Sequence, residues 1–167
     1  MSKKVCTFLG HAELWGAERE IQASLIVECR RLVEEEGTTT FLLGNQGGFD
    51  GAAASALLKI KQEHPEIQRI LVIPYLTRSI NRDREWFTHR YDEILRPTEL
   101  MGVHYKSAIG SRNRWMVAQS DVVLAYVRHE SGGAAEALRY AATMKKEIIN
   151  LACADKIGRG DDIFHPL

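Results

Sequence analysis

The sequence predicts an α/β domain with a doubly wound, mainly parallel sheet and helices on both faces. Three observations carry that expectation. Short apolar runs alternate with helical stripes almost throughout; two of those runs, Ile70-Leu71-Val72-Ile73 and Val122-Val123-Leu124-Ala125-Tyr126, are unbroken, as in strands buried on both faces; and glycine-rich loops follow the strands. With right-handed crossovers such a chain brings its ligand loops to the carboxyl ends of the strands.

Each element follows from local pattern. Val5–Leu9 reads as the first strand. Ile21, Leu25, Cys29, Leu32 and Val33 recur at helical spacing until Gly37 stands in the C-cap position. Thr39–Leu43, β-branched and aromatic, is the second strand. Asp50 is placed to cap the next helix, whose Ala53, Leu57 and Ile60 face one way and which Pro65 ends. After the third strand, Ile70–Ile73, comes a less regular stretch, Tyr75 to Gly110, with a short helix around Trp86–Tyr91. A further short helix carries Arg112 and Arg114 before the strand at Val122. Gly133–Lys145 bears a stripe of Ala134, Leu138, Ala141 and Ala142, and Ile148–Leu151 closes as a strand. Residues 1–151 form the expected domain and residues 152–167 an expected C-terminal tail, where apolar periodicity fades.

Bulk properties narrow the function. Lysine plus arginine equal aspartate plus glutamate at 22 each, so no global field holds DNA or an anionic membrane, and DNA is set aside as a partner. Cys6, Cys29 and Cys153 form no CxxC pair and read as reduced packing residues. The opening MSKKVCTFLG is too short in its apolar run for a signal peptide, and no later segment approaches a membrane span. A cytoplasmic protein is expected.

Two strand-to-helix junctions raise the question of a site. GNQGGFDGAA begins at Gly44, and SGGAAEA begins at Ser131 one half of the fold later. One reading makes Gly44, Gly47 and Gly48 turn residues; the other makes them, with Gly132 and Gly133, backbone cradles for phosphate at helix N-termini. Neither junction matches GxGxxG or a P-loop, which lowers the weight of a dehydrogenase or P-loop NTPase. The loop Gly10-His11 also follows a strand. His11 has two readings, a phosphate or proton-transfer group and a loop brace. Arg112 and Asn113 suit phosphate or carboxylate, because a guanidinium presents paired planar donors; a solvated helix end is the competing reading. Trp115 and Met116 read as packing. No histidine pair has HxH or HExxH spacing, so neither a metal nor a cofactor is expected. The mixed charges of Thr77–Trp86 read as a solvated loop, with a lid as the minority view.

The order strand-GH, GxxxGFD, a Trp and Tyr segment, RNRWMV, a buried strand and GGA opening an alanine-rich helix resembles the SLOG superfamily, which includes DprA-type and Lonely-Guy proteins. The likeness spans roughly Cys6 to Leu151 and lies nearest to a short bacterial and phage branch. The resemblance implies a nucleotide or nucleotide-derived ligand held at strand ends. It carries over to Gly10 and His11; to Gly44, Gly48, Phe49 and Asp50; to Trp86 and Tyr91; to Arg112, Asn113 and Met116; and to Gly132 and Gly133. There are departures: Asn45, Gln46 and Gly47 replace small and apolar residues, Ala12 a basic or hydroxyl residue, and Ala134 a threonine. The Lonely-Guy motif PGGxGTxxE has no counterpart in SGGAAEA, where Glu136 stands off the motif's spacing. The expected function is a sensor or binding module for a nucleotide-like small molecule, in a homodimer as the branch's habits suggest. The alternative is an N-glycoside hydrolase acting on a nucleoside 5'-monophosphate, with Glu136 or Asp50 as its carboxylate.

Overall fold

The computed structural model describes residues 3–153 and 157–158. Seven strands, β1 (Lys4–Gly10), β2 (Thr38–Leu43), β3 (Gln68–Val72), β4 (Glu93–Leu95), β5 (Val122–Tyr126), β6 (Glu147–Asn150) and β7 (Ile157–Gly158), form one sheet in the order β4-β3-β2-β1-β5-β6-β7. The first six are parallel, and β7 pairs antiparallel with β6. The expected doubly wound sheet is therefore present, and chain order reverses between β1 and β5. Most of the expected tail lies outside the described residues, but its Ile157–Gly158 pair joins the sheet edge.

Helices α1 (Glu18–Glu36) and α2 (Gly48–Glu63) pack together, as do α5 (Tyr105–Gln119) and α6 (Gly133–Thr143). Two short helices, α3 (Arg78–Arg82) and α4 (Arg84–Arg90), follow β3. The stripe Ile21, Leu25, Cys29 and Leu32 is buried as its spacing requires, and Gly37 ends α1 at φ 72°, its N–H donating to Leu32 O. Every residue of β5 is buried, which accounts for its unbroken apolar run. Cys6 and Cys29 lie in the core, where burial pushes both thiols up. At the end of β6, buried Asn150 accepts from the N–H groups of Val127 (3.1 Å) and Ala152 (3.2 Å) and donates to Val127 O (3.0 Å). It thereby extends the pairing beyond the ladder.

Three expectations need correction. Asp50 is not the N-cap of α2: Gly47 is, and Asp50 sits at the third helical position, its carboxylate accepting from Gln46 N–H at 2.9 Å. The helix carrying Arg112 is not short but spans 15 residues. The stretch Tyr75–Gly110 also hides β4, too brief at three residues to show a pattern.

Candidate functional site

Helix α5 buries Ala108, Arg112 and Met116, residues four apart on one face, with Val117 beside them. An arginine therefore occupies the middle of a core-facing stripe and is only 2% exposed. Its Nε donates to Asn113 Oδ1 (3.1 Å) and its Nη1 to Val72 O at the end of β3 (3.3 Å). Its Nη2 has no protein partner among the described residues. The guanidinium lies against Gly44 at the end of β2, where an added Cβ would come within 2.9 Å of its Cζ. Glycine at that position makes room for the cation.

Arg112 opens onto a cavity of about 140 Å³ at the carboxyl ends of the strands, whose walls include Gly10, Gln46, Asp50, Asn113 and Gly133. Burial lowers the Arg112 pKa, opposed by the Asp50 carboxylate and by Tyr75. The half-buried Asp50 carboxyl is raised by burial, with Arg112 and the Gln46 N–H pulling the other way. The cavity thus holds one desolvated cation facing one carboxyl group that resists ionisation.

The two glycine junctions divide into different roles. At the first, loop 11–17 is laid on the start of α2. Gly48 N–H donates to Ala12 O (2.7 Å) and Phe49 N–H to His11 O (3.2 Å), so these helix donors are already satisfied. A Cβ on Gly10 would fall 2.3 Å from the Phe49 ring, one on Gly47 2.5 Å from Ala12 Cα, and one on Gly48 2.6 Å from Ala12 O. Those glycines serve close chain packing. At the second junction, Gly132 starts α6 at φ 97°, and an added Cβ on Gly132 or Gly133 meets nothing within 4 Å. The N–H groups of Gly133, Ala134 and Ala135 donate to nothing among the described residues. Of the two, this junction is the one whose helix starts with three successive free donors.

The structure brings Gly10, Asp50, Arg112, Asn113 and Gly133 to one cavity. Gly44, Gly47, Gly48, Gly132, His11 and Glu136 are not in its lining, and Glu136 is exposed on α6. His11 braces the loops: its Nε2 accepts from Arg128 N–H at 2.9 Å, and burial, then His129 and Arg128, hold its pKa down. Gln46, Ile109 and Ala134 also line the cavity and were not anticipated. Nor was a cluster beside His11 in which the Arg128 guanidinium covers the Trp15 ring at 4.9 Å and His129 meets it edge-on at 5.2 Å. Ile109 follows the buried Ala108 of α5 and Ala134 heads the stripe of α6, but Gln46 and the cluster carry no periodic signal. Among the described residues, one group has metal-ligand proximity, Glu34, Glu63 and His64, although Arg30 already holds Glu63 through two hydrogen bonds.

UPF0398 protein BH1768 of Halalkalibacterium halodurans is 28% identical over 105 residues, which cover 59% of this chain and 55% of that protein. The chain therefore spans about half the length of this curated relative. DNA processing protein A of Helicobacter pylori, described by a single-stranded DNA binding mode, superposes with a TM-score of 0.59 at 18% identity, covering 87% of this chain and 63% of that one. The Chlamydomonas rheinhardtii Moco carrier protein gives 0.52 at 16% identity, covering 99% and 89%. At these identities the likeness is one of fold.

It also forces a correction. DNA was set aside on the neutral charge balance, yet this fold is shared with a protein described as binding single-stranded DNA, so whole-chain charge excludes nothing here. The expected homodimer and free small-molecule partner find no support in the same comparisons. Among the described residues no helix is long and apolar enough to cross a membrane. The model of the YpsA family, described as the YspA SLOG family, matches residues 16–154, most of the sequence, and the chain belongs to that family.

Proposed function

We propose that the crevice binds the phosphate of a nucleotide or nucleotide-derived ligand. One observation carries the reading: a guanidinium buried at the strand ends keeps one amino group without a protein partner, in a cavity that also reaches the open N-terminus of α6. A desolvated arginine gains most from a doubly charged, multiply accepting oxyanion, and helix amides add to the same charge preference. Asp50 lines the same cavity, where burial works against its charged form while Arg112 and the Gln46 N–H favour it, so its repulsion of an anion is weakened. Family membership and the fold support ligand binding in general; the phosphate assignment rests on the residues.

Binding takes precedence over hydrolysis. Glu136 is exposed and outside the cavity, which leaves Asp50 as its one carboxyl group. Calorimetric titration with a nucleoside 5'-monophosphate, the matching nucleoside and inorganic phosphate tests the reading. The expected result is that phosphate-bearing probes bind and the nucleoside does not, and that Arg112→Gln, checked for folding by circular dichroism, abolishes binding. Equal affinity for nucleoside and nucleotide removes the basis of the reading. Free base released on incubation, followed by chromatography, would instead establish the hydrolase.

A further inference from the structure

The phosphate cavity, at about 140 Å³, is well below the ~300–1,000 Å³ usual for small-ligand sites. The remainder of any nucleotide must lie beyond it. A second cavity of about 720 Å³ borders the same loop: Asn45 lines the larger cavity and Gln46 the smaller, so one peptide link separates their walls. The larger cavity is bounded by Asn45, Ser79, Arg84, Trp86 and Phe87, among others.

Trp86 is 48% exposed, an unusual position for a large apolar ring. It is nonetheless firmly mounted. Arg90 covers the ring with its Cζ 4.8 Å from the centroid, and that arginine is tied to α2 through Gly51 O and Ser55 Oγ, each at 3.2 Å. Phe87 meets the indole edge-on at 4.9 Å and 82°, and Phe87 is itself buried and stacked on Tyr91. An indole fixed against the protein on these sides and open to a cavity is a preorganised stacking platform. Asn45 is exposed and its side-chain amide has no protein partner among the described residues, which leaves both a donor and an acceptor at the same cavity.

We infer that the larger cavity is the base subsite of the ligand whose phosphate Arg112 holds: the nucleobase stacks on Trp86 and its edge pairs with Asn45. The inference rests on the phosphate reading and adds to it the half of the ligand that the small cavity cannot contain. The same chemistry is offered by a free nucleotide and by one nucleotide of a single strand.

The test compares wild type, Trp86→Ala, Trp86→Phe and Arg112→Gln, titrated with thymidine 5'-monophosphate, ribose 5-phosphate and a short thymidylate oligomer. Trp86→Ala should weaken the monophosphate about 5- to 150-fold, the range of one base–aromatic stack. It should leave ribose 5-phosphate unchanged, Trp86→Phe should retain most of the affinity, and Arg112→Gln should weaken both probes. Tighter binding of the oligomer with the same dependence on Trp86 assigns the nucleotide to a strand; equal affinity assigns it to a free ligand. If Trp86→Ala leaves the monophosphate unaffected while Arg112→Gln abolishes its binding, the base subsite is overturned and the phosphate reading survives. If no phosphate-bearing probe binds, both fall.

Discussion

Substituting Gly10 by alanine should be among the most damaging single-methyl changes available to this protein. The added Cβ would lie 2.3 Å from Cγ and Cδ2 of Phe49 and 2.6 Å from its Cβ, roughly 1 Å inside the ~3.5 Å of a relaxed carbon contact. Phe49 has little freedom to retreat. Its ring lies between Phe8 and Tyr126, at 6.5 and 6.3 Å between centroids, and its backbone N–H is held by His11 O. The overpacking cost therefore belongs at the upper end of the usual range, about 3 kcal/mol. With a urea m-value of about 2 kcal/mol/M, the unfolding midpoint should fall by about 1.5 M at unchanged slope. Phe49→Leu should relieve part of that loss, so Gly10→Ala should cost less in the Phe49→Leu background than alone. Urea titrations followed by circular dichroism on the four proteins measure this directly. A shift below about 0.3 M for Gly10→Ala, or strict additivity of the pair, would refute the claim that this glycine exists to admit the Phe49 ring.

Gly44→Ala acts on the cation instead: its Cβ pushes the guanidinium off Val72 O, so phosphate affinity should fall about tenfold, the worth of one hydrogen bond near 1.4 kcal/mol, and unchanged affinity by calorimetry would place Arg112 elsewhere. His11 has a folded pKa below its ordinary value, so its contribution to stability is intact above about pH 6.5 and drains as pH falls through the depressed folded value. His11→Gln should flatten that part of the stability–pH curve measured by thermal melts. Asp50 is raised in the folded state, so ionising it costs stability as pH rises from the ordinary carboxylate range through the raised value. Asp50→Asn should remove that cost, seen as a flatter stability–pH curve in thermal melts over the same window. Asn150→Leu strands the N–H and C=O of Val127, and roughly 1–3 kcal/mol per orphaned group should appear as a lower midpoint in urea.

The fold was legible because its buried strands are continuous apolar runs and its first helix has a clean stripe with a glycine stop. What escaped the sequence was what short or interrupted patterns cannot signal. β4 offers three residues, and α5 breaks its stripe with a charged side chain, so it read as a short helix with Arg112 near its start, ligand site and solvated helix end both open. The buried spacing of Ala108, Arg112 and Met116 was available in the sequence, but a charge on that face argues for solvent until its partners are known. The glycines were ambiguous for a different reason. A residue that frees a backbone for phosphate and one that admits a phenylalanine 39 positions away leave the same letter. Only the contacts of Gly10 and Gly44, set against the open surroundings of Gly132 and Gly133, separate the two. The exclusion of DNA failed because net charge averages over the whole surface and is silent about a cleft.

Helix α5 is the link that carries the chain from the β4 edge across to β5, and it delivers its guanidinium beneath the ends of β2 and β3. The cation proposed to hold the phosphate is thus contributed by the very segment that joins the two halves of the sheet, while the α6 amides belong to the half that follows. A ligand gripping both would act as a clasp across the molecule's midline. Its occupancy should slow amide exchange in β3 and α6 together.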